Sequence, residues 1–473
     1  MVFSSPGFLF VFLPLLLVLY YGLRSELKNL VLLAASLFFY SWGEPKYVFL
    51  MLLSIGFNYL FALMIDAAEQ APTRKLFAAS CVFLNVWFLV YFKYWDFLIG
   101  ACNNLLALFG STFAFPLQRI ALPIGISFFT FQIMSYTIDV YRGKVAAQKN
   151  PFHLALYISL FPQLIAGPIV RYIDVQNEIV HRTHTVELFA EGLGRFSVGF
   201  SKKILIANQM SRVADAAFTL PVDQLSAPMA WAGLLCYAIQ IFFDFSAYSD
   251  MAIGLGKMFG FHFLENFNYP YIARTVKDFW RRWHISLSTW FRDYLYIPLG
   301  GNRKGPLCTY RNLLIVFFVT GFWHGASWNF IVWGLFYGVF LILERGAWGK
   351  LIDRLPVFVG HIYVTFIVMI GWVFFRTENL THSLLYIRKM FVFADTRLSH
   401  LAPYLNAEML CWFLIGLLFC TPFARVLKEQ MTKKLESSVS MIVFSCSELL
   451  LMLLSISYMA ASNGYNPFIY FRF

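Results

Sequence analysis

The chain is patterned by long apolar stretches separated by short polar breaks. Apolar segments fall near 8–23, 29–43, 47–65, 76–99 and 120–141, then 152–170, 188–210, 228–258, 312–326, 328–344, 357–375, 408–425 and 439–461. A helix rises about 1.5 Å per residue, so roughly 20 apolar residues cross the hydrocarbon layer of a bilayer. Several stretches reach that length. Others are short or interrupted, notably by Pro162, Gly167 and Pro168. These are read as re-entrant, because irregular backbone survives at membrane depth only under a cover of protein or along a wet cavity. The pattern predicts an all-α polytopic membrane protein of about eleven transmembrane helices, with re-entrant and interfacial helices besides.

Composition agrees that the solvent is lipid. Only 13% of the 473 residues are charged, against roughly 25% in soluble domains. Hydrophobic residues make up 59%, with 54 Phe and 13 Trp, and the mean hydropathy is +0.65. These values exclude a disordered chain, a coiled coil, a secreted disulfide framework and a soluble multidomain enzyme. No Lys or Arg precedes the first apolar stretch, Arg24 follows it, and no small-x-small cleavage site is present. It reads as a retained first span rather than a signal peptide. Arg24 and Lys28 follow the first span, Arg74 and Lys75 the third, and Arg142, Lys144 and Lys149 the segment ending near Tyr141, whereas Glu44 and Lys46 alone follow the second. Basic loops stay in the cytoplasm, which puts the N-terminus outside. No repeat relates the two halves, and the chain 1–473 is read as one integral membrane domain.

The net charge of +12 would suggest nucleic acid in a soluble protein; here it reads as cytoplasmic loops, with no nucleic-acid partner. The seven cysteines are scattered without a CxxC pair and are read as reduced packing residues. His181 and His184 form an HxxH in a polar loop with no evident third ligand, so no metal site is expected.

One stretch departs from the rest. Arg274 to Arg311 holds eight basic residues against Asp278 and Asp293, which is half of the chain's net charge. Read as a helix, Trp280, His284, Leu287, Phe291 and Tyr294 form one aromatic stripe, with Arg281, Ser288 and Arg292 on the other side. That describes an amphipathic helix at the membrane boundary, with two readings. Its arginines snorkel to lipid head groups, or the stretch binds a phosphate-bearing ligand on the cytoplasmic side. Pro298-Leu299-Gly300-Gly301-Asn302-Arg303-Lys304 favours the second, since glycines let backbone N–H groups approach an anion that Arg303 and Lys304 neutralise. No GxxxxGK[ST] is present, so a P-loop is not indicated. His324 lies in an apolar run, Gly321-Phe322-Trp323-His324-Gly325, where an ionisable side chain marks a functional site by default. A neutral imidazole there can serve as a general base; the bland alternative is a hydrogen bond between helices. Asp244, Ser246 and Tyr248, with Trp323 and Asn329, are read as tunnel lining or as groups orienting the histidines, against plain interhelical bonding.

Arg281-Arg282-Trp283-His284-Ile285-Ser286-Leu287-Ser288, then Arg292-Asp293-Tyr294-Leu295-Tyr296-Ile297-Pro298-Leu299-Gly300-Gly301-Asn302, and Trp323-His324-Gly325 together resemble the membrane-bound O-acyltransferase superfamily. The likeness is greatest to its bacterial branch of polysaccharide and peptidoglycan O-acetyltransferases, which includes the alginate O-acetyltransferase membrane subunit. It runs from the N-terminus to about Glu344 and is most specific over 120–344. The resemblance implies a ring of helices around a central funnel and acetyl-CoA as co-substrate, with no bound cofactor. His324 matches the family's catalytic histidine and His284 its second functional histidine. Arg281, Arg282, Trp283, Arg292, Asn302, Arg303 and Lys304 would bind the donor. In this branch a periplasmic or membrane-anchored partner places the acetyl group on sugar hydroxyls, which implies the bacterial inner membrane and an indirect polysaccharide acceptor. Chemistry on the thioester would have His324 deprotonate the acceptor or take the acetyl group, and His284 orient the thioester or polarise its carbonyl. D-alanyl transfer to teichoic acid keeps the enzyme and changes the acyl group. A flippase using the same polar tunnel is the reading from another class.

Overall fold

The computed structural model describes residues 1–393, 395–462 and 464–467, with Ser437 described by its backbone alone. It is helical throughout, with no strand among the described residues. The chain divides into two compact units, Met1–Phe189 with Leu255–Phe263, and Ala190–Gly254 with Leu264 onward.

The first unit holds α1 (Phe8–Gly22), α2 (Lys28–Gly43), α3 (Tyr47–Ala67), α4 (Ala71–Leu108), α5 (Ile126–Tyr141) and α6 (Pro151–Ser159). Helices α3, α4 and α5 pack on one another around a buried polar knot. Asn58 and Asn85 exchange amide hydrogen bonds at 3.2 and 3.0 Å, and Cys81 Sγ and Thr137 Oγ1 both donate to Asn58 Oδ1 at 3.0 Å. In lipid such bonds tie helices that hydrophobicity alone would leave indifferent to one another. After α6 the backbone passes through a single turn, Phe161–Leu164, into irregular buried chain, at the Pro162 and Gly167 interruptions. His184 Nε2 meets Tyr20 Oη at 2.8 Å while His181 is exposed. Among the described residues no group of three His, Cys, Asp or Glu is placed to hold a metal ion.

The second unit holds α7 (Asn208–Thr219), α8 (Ala227–Met258, whose last turn belongs to the first unit), α9 (Val276–Arg282), α10 (Ile285–Phe291), α11 (Gly305–His324), α12 (Trp328–Leu343), α13 (Val357–Arg376) and α14 (Ser438–Ala461). The apolar window of α8 is 83% buried and that of α14 only 11%. Thus α8 is a core helix, whereas the Leu, Ile and Met side chains of α14 are mostly exposed. A π-helical turn, Lys202–Ala207, leads into α7, and both of its lysines reach α8. Lys203 Nζ pairs with Asp244 at 2.7 Å, both side chains buried, and Lys202 Nζ with Asp250 at 2.6 Å. Arg195 joins Asp250 to Glu265. Buried charges are thus paired, as their desolvation demands.

Among the described residues, six helices can cross a membrane by length and composition, or up to eight if two bent pairs each count as one span. The expected eleven are not all of that length: α2 and α5, for example, have 16 residues each. A second expectation is corrected. The basic stretch is no continuous amphipathic helix, because it breaks between α9 and α10 at Trp283 and His284, the latter left-handed at φ 46°, ψ 57°. The predicted stripe of Trp280, His284, Leu287, Phe291 and Tyr294 is buried in protein rather than laid into lipid.

Candidate functional site

The break that ends α9 is what presents His284. Main-chain bonds clamp both sides of it: Asn268 N–H donates to Arg282 O and Ile285 N–H to Asn266 O, each at 2.9 Å. Held between them, His284 takes the left-handed conformation, which costs a non-glycine residue on the order of 1–2 kcal/mol. The turn aims its ring at the Asn266 side chain. Asn266 Oδ1 accepts from Ser286 N–H at 3.2 Å and from Ser286 Oγ at 2.9 Å, and lies 3.1 Å from His284 Nδ1. Its Nδ2 donates to Ser249 Oγ at 3.1 Å. Because a backbone N–H can only donate, the atom facing Ser286 must be the amide oxygen. The proton on the neutral imidazole therefore sits on Nδ1, and Nε2 carries a lone pair. Nε2 is buried without a hydrogen-bond partner among the described residues. His284 lies outside the candidate spans, and burial pushes its imidazole down from the ordinary value to about 3, so it is neutral at any working pH.

His324 ends α11, just before the extended Gly325. Its neighbour Trp323 touches both histidines, with its ring centroid 4.9 Å from the His324 imidazole and 6.5 Å from that of His284. Forty residues apart in sequence, the two rings therefore share one wall. Trp333 of α12 and Phe375 of α13 meet the His324 ring edge-on at 5.0 and 5.1 Å, and Phe245 of α8 meets His284 at 4.6 Å. Close packing of α11 on α12 brings Trp333 there. A Cβ on Gly334 would lie 3.1 Å from Gly321 Cα and overlap Phe317 O. Two facing glycines let the helix backbones touch, as small residues do in membrane helix pairs.

The remaining expected residues separate into groups. Asp244 is held by Lys203, and Ser246 and Tyr248 are buried on the same helix. Asn329 Nδ2 donates to Thr377 O at 2.8 Å and so ties α12 to the end of α13. Trp283 is core: its ring stacks on Phe279 at 5.7 Å and meets Trp372 at 4.9 Å. Arg282 is occupied by the Asp278 carboxylate at 2.9 Å and by Asn268 O at 3.2 Å. Arg281 is exposed, and Arg292, also exposed, is bound by its neighbour Asp293 at 2.7 Å. Asn302, Arg303 and Lys304 stand exposed on one loop. Gly300, Gly301 and Gly305 hold that loop at φ 107°, 56° and 84°, conformations that glycine adopts without penalty. Asn312 Nδ2 of α11 anchors it on Gly301 O at 2.9 Å and Leu299 O at 3.3 Å. The residue that sequence reasoning passed over is Asn266. Its signal was its place in Glu265-Asn266-Phe267-Asn268, within the stretch that resembles the family.

Comparison with known proteins follows the same residues. The family profile of the membrane-bound O-acyltransferases matches residues 145–375. A probable alginate O-acetylase AlgI of Azotobacter vinelandii is 47% identical over 407 residues, covering 85% of this chain and 80% of the relative. The protein of the same description from Pseudomonas putida is 41% identical over the full length of both chains. The peptidoglycan O-acetyltransferase of Helicobacter pylori is 38% identical, covering 85% of this chain and 82% of its own.

Proposed function

Because this chain belongs to the membrane-bound O-acyltransferase family, we propose that it takes acetyl groups from cytoplasmic acetyl-CoA and passes them across the membrane for O-acetylation of an alginate-like polysaccharide. It is a multi-pass membrane acyltransferase. The relatives named for alginate, at 41–47% identity, favour that polymer as acceptor; the relative named for peptidoglycan supports the second acceptor. The observation that carries the reading is the pair of buried histidines on one tryptophan wall. His284 is fixed in the tautomer that leaves Nε2 a lone pair, and His324 is enclosed by aromatic rings.

His324 takes the proton of the acceptor hydroxyl while its oxygen attacks the thioester carbon, and returns the proton to the departing thiolate. His284 Nε2, an acceptor and not a donor, holds a hydroxyl; a carbonyl oxygen would find no proton there. The exposed Arg281, Arg303 and Lys304 suit the phosphates of the donor, with the glycine loop beside the last two. The family match begins in one compact unit and ends in the other, which supports reading the chain as one functional domain. It would lie in the bacterial inner membrane with its N-terminus periplasmic. A periplasmic or membrane-anchored acetyltransferase would complete transfer to the sugar. The test is surface O-acetylation in cells carrying His324→Ala protein at normal membrane levels. Loss supports the assignment, and retention of acetylation removes His324 from the chemistry. Capture of the chain with its partners from membranes identifies the acceptor system.

A further inference from the structure

Around the Trp333 ring that meets His324 lie three buried donors with no hydrogen-bond partner among the described residues: Trp280 Nε1, Trp333 Nε1 and Tyr337 Oη. Their side chains are 8%, 1% and 0% exposed. Buried N–H and O–H groups are nearly always satisfied, so an open one calls for a cause. The surroundings do not force it. In the same aromatic cluster Trp372 Nε1 donates to Tyr271 Oη at 3.1 Å, and Tyr271 donates to Ala238 O at 2.6 Å.

The three rings that carry the open donors are gathered in one place. Trp333 and Tyr337 lie one turn apart on α12 and so share a face, and Trp280 reaches them from α9. Ring centroids are 5.6 Å apart for Trp280 and Trp333, 5.0 Å for Trp280 and Tyr337, and 5.4 Å for Trp333 and Tyr337. The Trp333 ring lies 5.0 Å from the His324 imidazole. On α13, a Cβ at Gly371 would collide with Tyr337 Oη, so glycine there leaves the hydroxyl its room. All three groups are neutral donors. An anionic phosphate or carboxylate buried among them would lack a cation. A carbonyl oxygen, neutral when bound and negative only in the transition state, matches them.

We propose that Trp280, Trp333 and Tyr337 donate to the carbonyl oxygen of the acyl thioester and stabilise the oxyanion formed beside His324. The inference rests on the acetyl-transfer reading above. As the acceptor oxygen bonds to the carbonyl carbon, its proton passes to His324 and the carbonyl π pair moves onto the oxygen facing the three donors. Collapse re-forms the C=O bond and breaks the C–S bond. The thiolate takes the proton back from the imidazolium, which leaves an ester, a thiol and a neutral histidine.

Tyr337→Phe removes a single oxygen and separates this role from packing. A merely stranded hydroxyl predicts a variant that is as stable as the parent or more so, and fully active, since an unsatisfied buried group has been deleted. Oxyanion stabilisation predicts unchanged or raised thermal stability, with kcat lowered roughly 100-fold and KM for acetyl-CoA within about twofold of the parent. Trp280→Phe and Trp333→Phe, which keep an aromatic ring and lose the N–H, show the same split between kcat and KM. The assay is acetyl transfer from acetyl-CoA to a hydroxyl acceptor by the full chain in liposomes. Parental kcat in all three variants, or a raised KM at parental kcat, overturns the inference and leaves acetyl transfer standing. No transfer by the parent chain overturns the acetyl-transfer reading itself.

Discussion

Replacing Asn266 with Asp alters the charge beside His284 while keeping the hydrogen bonds around it. A carboxylate still accepts from Ser286 N–H and Oγ, and Ser249 Oγ, which now accepts from the amide, can turn to donate. The negative charge lies 3.1 Å from Nδ1. At an effective dielectric of about 20 it attracts an imidazolium by about 5 kcal/mol, or roughly four pKa units. That attraction favours the charged form, so it raises a pKa that burial holds down at about 3 into the neutral range. The parent His284 stays neutral as pH falls; the variant's protonates and loses the Nε2 lone pair. We expect the acid limb of kcat/KM for acetyl transfer to move upward in Asn266→Asp by at least about one unit, with activity recovering toward the parent on the alkaline side. Asn266→Ala instead strands buried donors at about 1–3 kcal/mol each; it lowers thermal stability without moving that limb. Superimposable pH profiles for the parent and Asn266→Asp would refute a part for the His284 Nε2 lone pair in transfer.

Three further outcomes follow from the packing and the charge. Gly334→Leu pushes α12 from α11 and destabilises by about 1–3 kcal/mol with loss of transfer; Gly338→Ala, whose Cβ would find Leu314 Cδ2 at 3.3 Å, stays near the parent in thermal unfolding. Lys203→Met removes the buried ion pair with the Asp244 carboxylate and costs about 3–5 kcal/mol, and adding Asp244→Asn restores much of the melting temperature. Charge reversal at Arg281, or at Arg303 with Lys304, raises the acetyl-CoA KM and flattens its salt dependence, since less attraction remains to be screened; an unchanged KM assigns these exposed groups to lipid.

The membrane class was legible because apolar run length is a direct consequence of bilayer thickness, and α3, α4, α8, α11, α13 and α14 carry that signal plainly. His324 stood out as a candidate for a related reason, since a titratable ring within an apolar run is costly and marks a functional site by default. The surroundings of His284 were not. A stripe at spacings of three and four reads as one helix whether the chain continues or turns, and the left-handed residue at position 284 is imposed by main-chain bonds from residues 266 and 268. Periodicity reports which side chains are buried, and it did so correctly for Trp280, Leu287 and Phe291. It does not report what buries them. Trp283, expected among the donor-binding residues, lies in the aromatic core for the same reason.

The aromatic enclosure bears on how such a site would keep water from its chemistry. Water attacks a thioester in competition with a hydroxyl, so an acyltransferase gains selectivity by keeping water from the carbonyl. His324 and His284 are 5% and 1% exposed, with ring edges of Trp323, Trp333 and Phe375 around the first and of Phe245 beside the second. A charged side chain in that shell would draw in water, whereas neutral rings exclude it. Phe375→Ala opens the shell on one side without touching a hydrogen-bonding group of either histidine. Its effect should therefore fall on partition more than on rate, with the ratio of free acetate to transferred acetyl rising several-fold. Counting both products from labelled acetyl-CoA measures that ratio. A parental ratio in a folded Phe375→Ala protein would mean that something other than this wall keeps water from the thioester.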